Sequence, residues 1–405
     1  MHILSYILWA LFYAVNIILA LYFLLPVFLF LIHWVLPSSG KLLEKRYPKK
    51  TGKEFDFAAI ITAHQDVKLI PPLADSFLKQ DYANFIVYII ADDCDTTGLV
   101  FKDERIRIIK PEIPFHAKIK SIHFAVKNFQ RKHDALIIFD SDNLVHPKYL
   151  STLNSYFQRG FRAVQTHMLS KNIDSTYAKL DSVGHIYHTF LERQIKMDLG
   201  LTSAILGLGI AIDIDLYDEI MYSSQLGGFD KKLQVQLAKK LPTIAFAEDA
   251  IVYDEKVDDG EALEKQRTRW IFTYFTYFKD SMKLFGNGII TLHAGRLLLG
   301  FNMLRPPLFL ILALAFIMTI MSFFVMPAIG FVWLIILFLF ALNFVLIVAT
   351  QSRQEGMVRA LVHMPKMILR QSASLLKIKK ANKSFLKTEH RKIIYIEDLL
   401  RNERT

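Results

Sequence analysis

Asp140-Ser141-Asp142 follows the apolar run Ala135-Leu136-Ile137-Ile138-Phe139. Two carboxylates one residue apart at a strand end come within reach of one divalent ion. An oxygen donor pair of this kind suits Mg²⁺ or Mn²⁺, which it would bridge to substrate phosphates. A solvated turn would carry the same residues. Asp92-Asp93 closes a second apolar run, Phe85 to Ile90, and adds a carboxylate acceptor for a ribose or base edge. His116-Ala117-Lys118 brings cationic groups to a helix start, where backbone N–H groups and Lys both favour a pyrophosphate. A solvated basic helix face is the plainer account. Leu226-Gly227-Gly228-Phe229-Asp230 is a Gly-Gly turn followed by an acid, fit to act as general base or as the cap of a helix over Leu233 to Lys240. Gln266-Arg267-Thr268-Arg269-Trp270 offers an amide and a guanidinium for hydroxyl groups and an indole face for a pyranose ring. An interfacial Trp anchor competes with that reading.

Short continuous apolar runs position these groups. Phe57 to Thr62, Phe85 to Ile90, Ile106 to Ile109 and Ala135 to Phe139 read as strands of a parallel sheet buried on both faces. Helices over Leu69 to Gln80 and Lys118 to Asn128 alternate with them. The pattern is Rossmann-like. Ligands of such sheets bind beyond the carboxyl ends of the strands, so the acidic turns should converge on one cleft. No G-x-G-x-x-G follows the first strand and no G-x-x-x-x-G-K-[ST] occurs, which disfavours nicotinamide dinucleotides and ATP-type phosphate loops.

The same chain carries a membrane signature. Residues 3 to 36 and 306 to 352 contain no Asp, Glu, Lys or Arg. A span needs about 20 apolar residues, so the first block is one long anchor, kinked or ended near Pro26. The second holds two spans, parted by Met326-Pro327-Ala328-Ile329-Gly330. Lys41, Lys45, Arg46, Lys49 and Lys50 follow the first span, and residues 377 to 392 carry seven Lys or Arg against one Glu. The positive-inside rule then puts the central domain and the C-terminus in the cytoplasm and the N-terminus outside, in an inner or plasma membrane. The formal charge of +11 belongs to that membrane face rather than to nucleic acid, for which no fold signature is present. Cys94 is the only cysteine, so no intrachain disulfide or Cys-based metal site exists.

Taken in order, these stretches resemble the membrane-bound, processive branch of family 2 glycosyltransferases, the group of cellulose, chitin, hyaluronan and poly-N-acetylglucosamine synthases. The order is Thr62-Ala63-His64-Gln65-Asp66, Asp92-Asp93, His116-Ala117-Lys118, Asp140-x-Asp142, a Gly-rich stretch, an acidic motif, then Gln266-x-x-Arg269-Trp270. The resemblance implies an α/β fold: a cytoplasmic GT-A domain at 41–269 behind an anchor at 1–40. Interfacial helices at 270–300, spans at 301–352 and a basic tail at 353–405 would follow. It implies an inverting, metal-dependent hexosyltransferase that moves a sugar from a UDP-sugar to a saccharide acceptor at the bilayer, or to a lipid such as ceramide or a polyprenyl phosphate. A homo-oligomer or a partner subunit is compatible with it. Thr62, His64 and Asp93 would contact the nucleotide, Lys118 the pyrophosphate, and Asp140 and Asp142 the diphosphate and its Mg²⁺ or Mn²⁺. Gln266, Arg269 and Trp270 would line the acceptor site, and Phe385 and Thr388 resemble the loop that covers the nucleotide in cellulose synthase. A catalytically dead scaffold subunit would be expected to lose Asp140, Asp142 or Trp270, and all are present.

The base needs a choice, since the family's Thr-Glu-Asp is absent. Asp230 lies 36 residues before Gln266, near the spacing in cellulose synthases, whereas Asp249 lies 17 before it and precedes a strand expected at Ala250 to Tyr253. Asp230 is therefore the expected base. Leu206-Gly207-Leu208-Gly209 and Thr-Ala-His-Gln-Asp depart from the usual acceptor and first-turn sequences, so acceptor and sugar are expected to differ from those of the well-known synthases.

Overall fold

Eight strands form one mixed sheet in a computed structural model that describes residues 2–37, 39–220, 228–368 and 391–402. The strands are β1 (Phe57–His64), β2 (Phe85–Asp92), β3 (Ile106–Ile109), β4 (Ala135–Asp140), β5 (Leu144–Val145), β6 (Ala163–Ser170), β7 (Ile210–Asp213) and β8 (Ala245–Asp254), in the order β3-β2-β1-β4-β7-β6-β8-β5. The helices are α1 (His2–Val35), α2 (Ser39–Arg46), α3 (Ile70–Leu78), α4 (Lys118–Lys127), α5 (Tyr149–Gln158), α6 (Thr176–Thr189), α7 (Ile195–Asp198), α8 (Ile214–Ile220), α9 (Phe229–Lys240), α10 (Gly260–Thr276), α11 (Phe278–Ile290), α12 (Ala294–Leu304), α13 (Leu308–Val325), α14 (Pro327–Gln351) and α15 (Met357–Ala360). A π-helical turn, Phe190–Gln194, joins α6 to α7, and a last helix covers Ile396–Asn402.

β1 shows why the sheet sits in the centre. Phe57, Ala59 and Ile61 pack with Phe77 of α3 and Leu153 of α5 on one face, while Ala58 and Ile60 pack with Ile122 of α4 and Leu237 of α9 on the other. Successive side chains point to opposite faces, so a run apolar at every position requires cover on both. Each fully buried Ile or Phe contributes about 1.5–3 kcal/mol. Register then aligns the loop ends: β1 pairs in parallel with β2 and β4, placing His64 opposite Asp92 and Thr62 opposite Asp140.

The sheet is not wholly parallel. β7 runs antiparallel to both β4 and β6, and β5 antiparallel to β8. The reversal before β7 depends on Gly209, whose φ is +65° and where a Cβ would stand 2.4 Å from Thr166 Oγ1. A strand confined to Ala250–Tyr253 is also corrected. β8 begins at Ala245, and its pairing with β6 jumps from Ala247–Thr166 to Ile251–His167, leaving Glu248 and Asp249 in a bulge.

Three helices, α1, α13 and α14, are long and apolar enough to cross a membrane. α1 runs unbroken by secondary structure through Pro26. The three pack together: Phe23 meets Trp333 and Phe340 edge-on, and the Trp333 indole donates to Asn16 Oδ1 at 2.6 Å. The bundle grips the α/β domain through α6 and the π-turn, where Tyr187 stacks on Phe344 at 4.5 Å and Phe30 meets Phe190. Pro365 lies inside the helical residues 364–368, just beyond α15. Met357, Ala360 and Met367 there are buried against α6 and α10.

Candidate active site

The cleft opens at the carboxyl ends of β1, β2 and β4. Lys118, the first residue of α4, donates to Asp140 Oδ1 at 2.6 Å and to the Gly207 carbonyl at 2.8 Å, with its ammonium 5.3 Å from the centre of the Phe229 ring. A Cβ on Gly207 would lie 3.6 Å from Phe229 and 3.9 Å from Asp230 Cβ. The Gly-rich stretch thus runs between the Lys118–Asp140 pair and the first turn of α9. Asp230 sits in that turn behind Gly228, whose φ of +66° sets the direction of the helix.

Arg269 completes the ring. Desolvation in the cleft pulls its guanidinium pKa down, and the nearby Asp140 and Asp230 carboxylates act in the opposite direction. Gln266, Arg269 and Trp270 stand at i, i+3 and i+4 in the middle of α10, so they share one face. The Gln266 amide oxygen is buried and reaches no hydrogen-bond donor among the described residues. Trp270 is 46% exposed, and Arg267 stacks on its ring at 4.3 Å while pairing with Asp181 at 2.5 Å. Glu248 lies elsewhere, in an ion pair with Arg353 at 3.5 Å, and burial pushes its carboxyl pKa up.

At the other end of the cleft the two neighbouring acids divide. Asp92 is 2% exposed and accepts the Phe115 and His116 backbone N–H groups at 2.7 and 2.8 Å. Asp93, at φ +55°, turns its carboxylate outward, where Gln65 donates to it at 3.0 Å. His64, Asp93 and His116 bring one ligand atom each within 4.8 Å of one another. Thr62 reaches from β1 to the Phe139 carbonyl at 3.3 Å, next to Asp140.

The Asp140–Asp142 turn is fixed from behind. Asn143 accepts the Asp140 N–H at 2.9 Å and donates to Asp254 at 3.0 Å, and Asp254 holds Lys256 at 2.9 Å. Lys171, whose pKa burial lowers, donates to the Asp142 carbonyl at 3.2 Å. Both lysines lie in the field of the Asp142 carboxylate, which is 5% exposed.

Most of the residues expected from the sequence therefore meet: Lys118, Asp140, Asp230 and Arg269 at one centre, and Thr62, His64 and Asp93 beside it. Phe385 and Thr388 lie outside the described residues. The chain after them is docked nearby, with the Arg391 and Lys392 N–H groups on Glu255 at 2.7 and 3.1 Å. Sequence reasoning missed Asp92, the Asn143–Asp254–Lys256 support and the Gly207 carbonyl. Only Asp92 carried a signal, its place beside Asp93.

A search of curated proteins returns no match. Among solved structures, the chain is similar to the mannosyltransferase PcManGT from Pyrobaculum calidifontis, determined in complex with GDP-Man and Mn²⁺. That match has 14% identity and a TM-score of 0.55, and covers 92% of this chain and 100% of that one. It is also similar to S. aureus TarS (residues 1–349), at 14% identity and a TM-score of 0.38, over 56% of this chain and 65% of that one. The first likeness supports a GT-A fold. The model of the Glycosyltransferase like family 2 matches residues 55–273, more than half of the chain and all of the cleft just described, and the chain belongs to that family.

Proposed function

We propose that the protein is an inverting glycosyltransferase that moves a sugar from a UDP-sugar to a hydroxyl of a membrane-associated saccharide. The convergence of Lys118, Asp140, Asp230 and Arg269 beside Gly207 carries this reading. The nucleoside lies against Thr62, His64 and Asp93. Its diphosphate lies along Lys118, at the N-terminus of α4, where ammonium and helix dipole both favour anionic oxygens.

The acceptor packs on Trp270 and hydrogen-bonds Gln266 and Arg269. Asp230 takes the acceptor hydroxyl proton as that oxygen forms its bond to the anomeric carbon. The bond from that carbon to the diphosphate oxygen breaks on the opposite face, and the electron pair leaves with UDP. No covalent enzyme intermediate is needed.

Asp140 and Asp142 suit a hard divalent cation. Their donors are carboxylate oxygens, and the Lys118 ammonium already stands on Asp140 as a counter-cation. When bound, Mg²⁺ or Mn²⁺ would offset charge on the leaving diphosphate. The basic residues after α1 and in the tail support a cytoplasmic catalytic domain.

Asp230→Asn tests the reading. It keeps the side chain's size and removes the base, so transfer should fall by about 10²–10⁴-fold while UDP still binds. Transfer at the wild-type rate would remove Asp230 from the base role.

A further inference from the structure

At the β1–β2 end of the cleft, three turns bring two imidazoles and a carboxylate together. His64 is the last residue of β1, Asp93 follows β2, and His116 stands two residues before α4. One ligand atom from each lies within 4.8 Å of the other two. Four non-glycine residues among those described have a positive φ, and Gln65, Asp93 and His116 are three of them. Left-handed backbone is unfavourable for a residue with a β-carbon, and it gathers where a site dictates the direction of the chain.

One buried acid orients both histidines. The His64 Nδ1 atom lies 3.2 Å from the Asp92 carbonyl oxygen and 3.3 Å from its carboxylate. Both of these only accept, so the ring proton belongs on Nδ1 and the Nε2 lone pair is directed toward His116. The same Asp92 carboxylate receives the Phe115 and His116 N–H groups, which fixes the His116 backbone. His64 Nε2 and His116 Nδ1 then stand 3.5 Å apart. That is long for a hydrogen bond between ring nitrogens. Two nitrogens bound at about 2.0–2.1 Å to one tetrahedral ion stand about 3.3 Å apart. A histidine held through its second nitrogen by a carboxylate or carbonyl is the usual support of a metal ligand.

We infer that His64, Asp93 and His116 form a site for a borderline transition ion such as Zn²⁺, and that this ion excludes the nucleoside of the donor. Two imidazole nitrogens and one carboxylate oxygen suit Zn²⁺, whereas the all-oxygen pair Asp140 and Asp142 suits Mg²⁺ or Mn²⁺. The two sites therefore differ in ion as well as in place. Asp93 and His116 are exposed and His64 partly so, which lets an ion enter from solvent without any opening of the fold. Exclusion follows because His64 and Asp93 are the residues set against the nucleoside, and a carboxylate that holds a cation no longer accepts from a ribose or base. The exclusion rests on the glycosyltransferase reading; the ion site stands on its own geometry.

The test titrates Zn²⁺ into the purified full-length protein in nanodiscs, stripped with a chelator and held in saturating Mg²⁺. One Zn²⁺ should bind per chain. His116→Asn lacks the imidazole and tolerates the left-handed backbone, so it should weaken Zn²⁺ binding at least about tenfold and keep the wild-type melting temperature. Asp93→Asn supplies the same readout if that variant fails to fold. Asp140→Asn should bind Zn²⁺ as the wild type does. Zn²⁺ should raise the apparent Kd for UDP, and UDP that for Zn²⁺, by the same factor. The effect should vanish in His116→Asn, which separates it from Zn²⁺ held by free UDP. Wild-type Zn²⁺ affinity in folded His116→Asn and Asp93→Asn makes the ion adventitious and overturns the site. Loss of binding in Asp140→Asn puts the ion on the other carboxylates and overturns it too. Zn²⁺ and UDP binding with no mutual effect, or with one that persists in His116→Asn, overturns the exclusion. Zn²⁺ binding that depends on His116, in a protein that binds no UDP with or without the ion, keeps the ion site and sinks the transferase reading, the exclusion with it.

Discussion

At the scale of single residues, Asp92 and Asp93 show how neighbours with one chemistry take two jobs. Asp92 is still in β2, and its buried carboxylate receives the two N–H groups that lead into Lys118. Asp93 lies one residue later, in the left-handed region, and faces the cleft. Asp92→Asn puts an NH₂ group against a backbone donor, so the fold should lose about 1–3 kcal/mol, read as a lower melting temperature. Nucleotide affinity should fall with it, since Lys118 loses its support. Asp93→Asn should leave the melting temperature within the range of surface substitutions, about 0.5 kcal/mol, and weaken nucleotide binding alone. If the two variants melt alike, the division of roles is wrong. The sequence displays the acidic pair. Which member faces the ligand depends on where β2 ends in the pleat, and a run apolar at every position hides that phase.

At the scale of elements, the four parallel strands were legible because each is a short apolar run ending in a polar turn. β7 was not, since Ile210–Asp213 reads the same in either direction and only its pairing with β4 and β6 makes it antiparallel. The bulge holding Glu248 and Asp249 was hidden for a related reason: bulges arise from cross-strand register, not from local propensity. Asp230 was chosen by its distance from Gln266, and in the structure the chain entering α9 passes the end of α10 at Gly228. Gly228 lets that chain pass close to the end of α10. A Cβ there would stand 2.5 Å from Thr273 and 2.6 Å from Tyr277, at a φ of +66°. Gly228→Ala should therefore destabilise by more than about 1 kcal/mol and displace Asp230 from Arg269, lowering kcat more than it raises KM for the donor. Thr273→Ser, which removes the nearer methyl group, should restore part of the lost rate. A Gly228→Ala enzyme with unchanged kcat would show that the close passage of Gly228 by Thr273 and Tyr277 does not set the position of Asp230.

For the whole molecule, the arrangement of chain ends restricts topology. The C-terminal end of α1 leads into α2, where Arg46 donates to the Asp198 carbonyl at 3.1 Å. The N-terminal end of α13 follows α12, and the C-terminal end of α14 leads into α15, which packs on α6. All three ends that meet the catalytic domain lie on one side of the bundle, so the turn at Met326 and the N-terminus lie on the other. The spans were legible as charge-free blocks; their grip on the π-turn was not, because it comes from contacts between residues far apart in sequence. The basic residues 41, 45, 46, 49 and 50 support the proposed orientation, with the domain in the cytoplasm. The chain's one cysteine, Cys94, is buried, which leaves a quiet background for thiol labelling. In intact cells, a membrane-impermeant maleimide should modify Met326→Cys and spare Lys49→Cys, which should react only after permeabilisation. Labelling of Lys49→Cys in intact cells would invert the molecule, and would put the donor site on the side of the membrane opposite the cytoplasmic pool of nucleotide sugar.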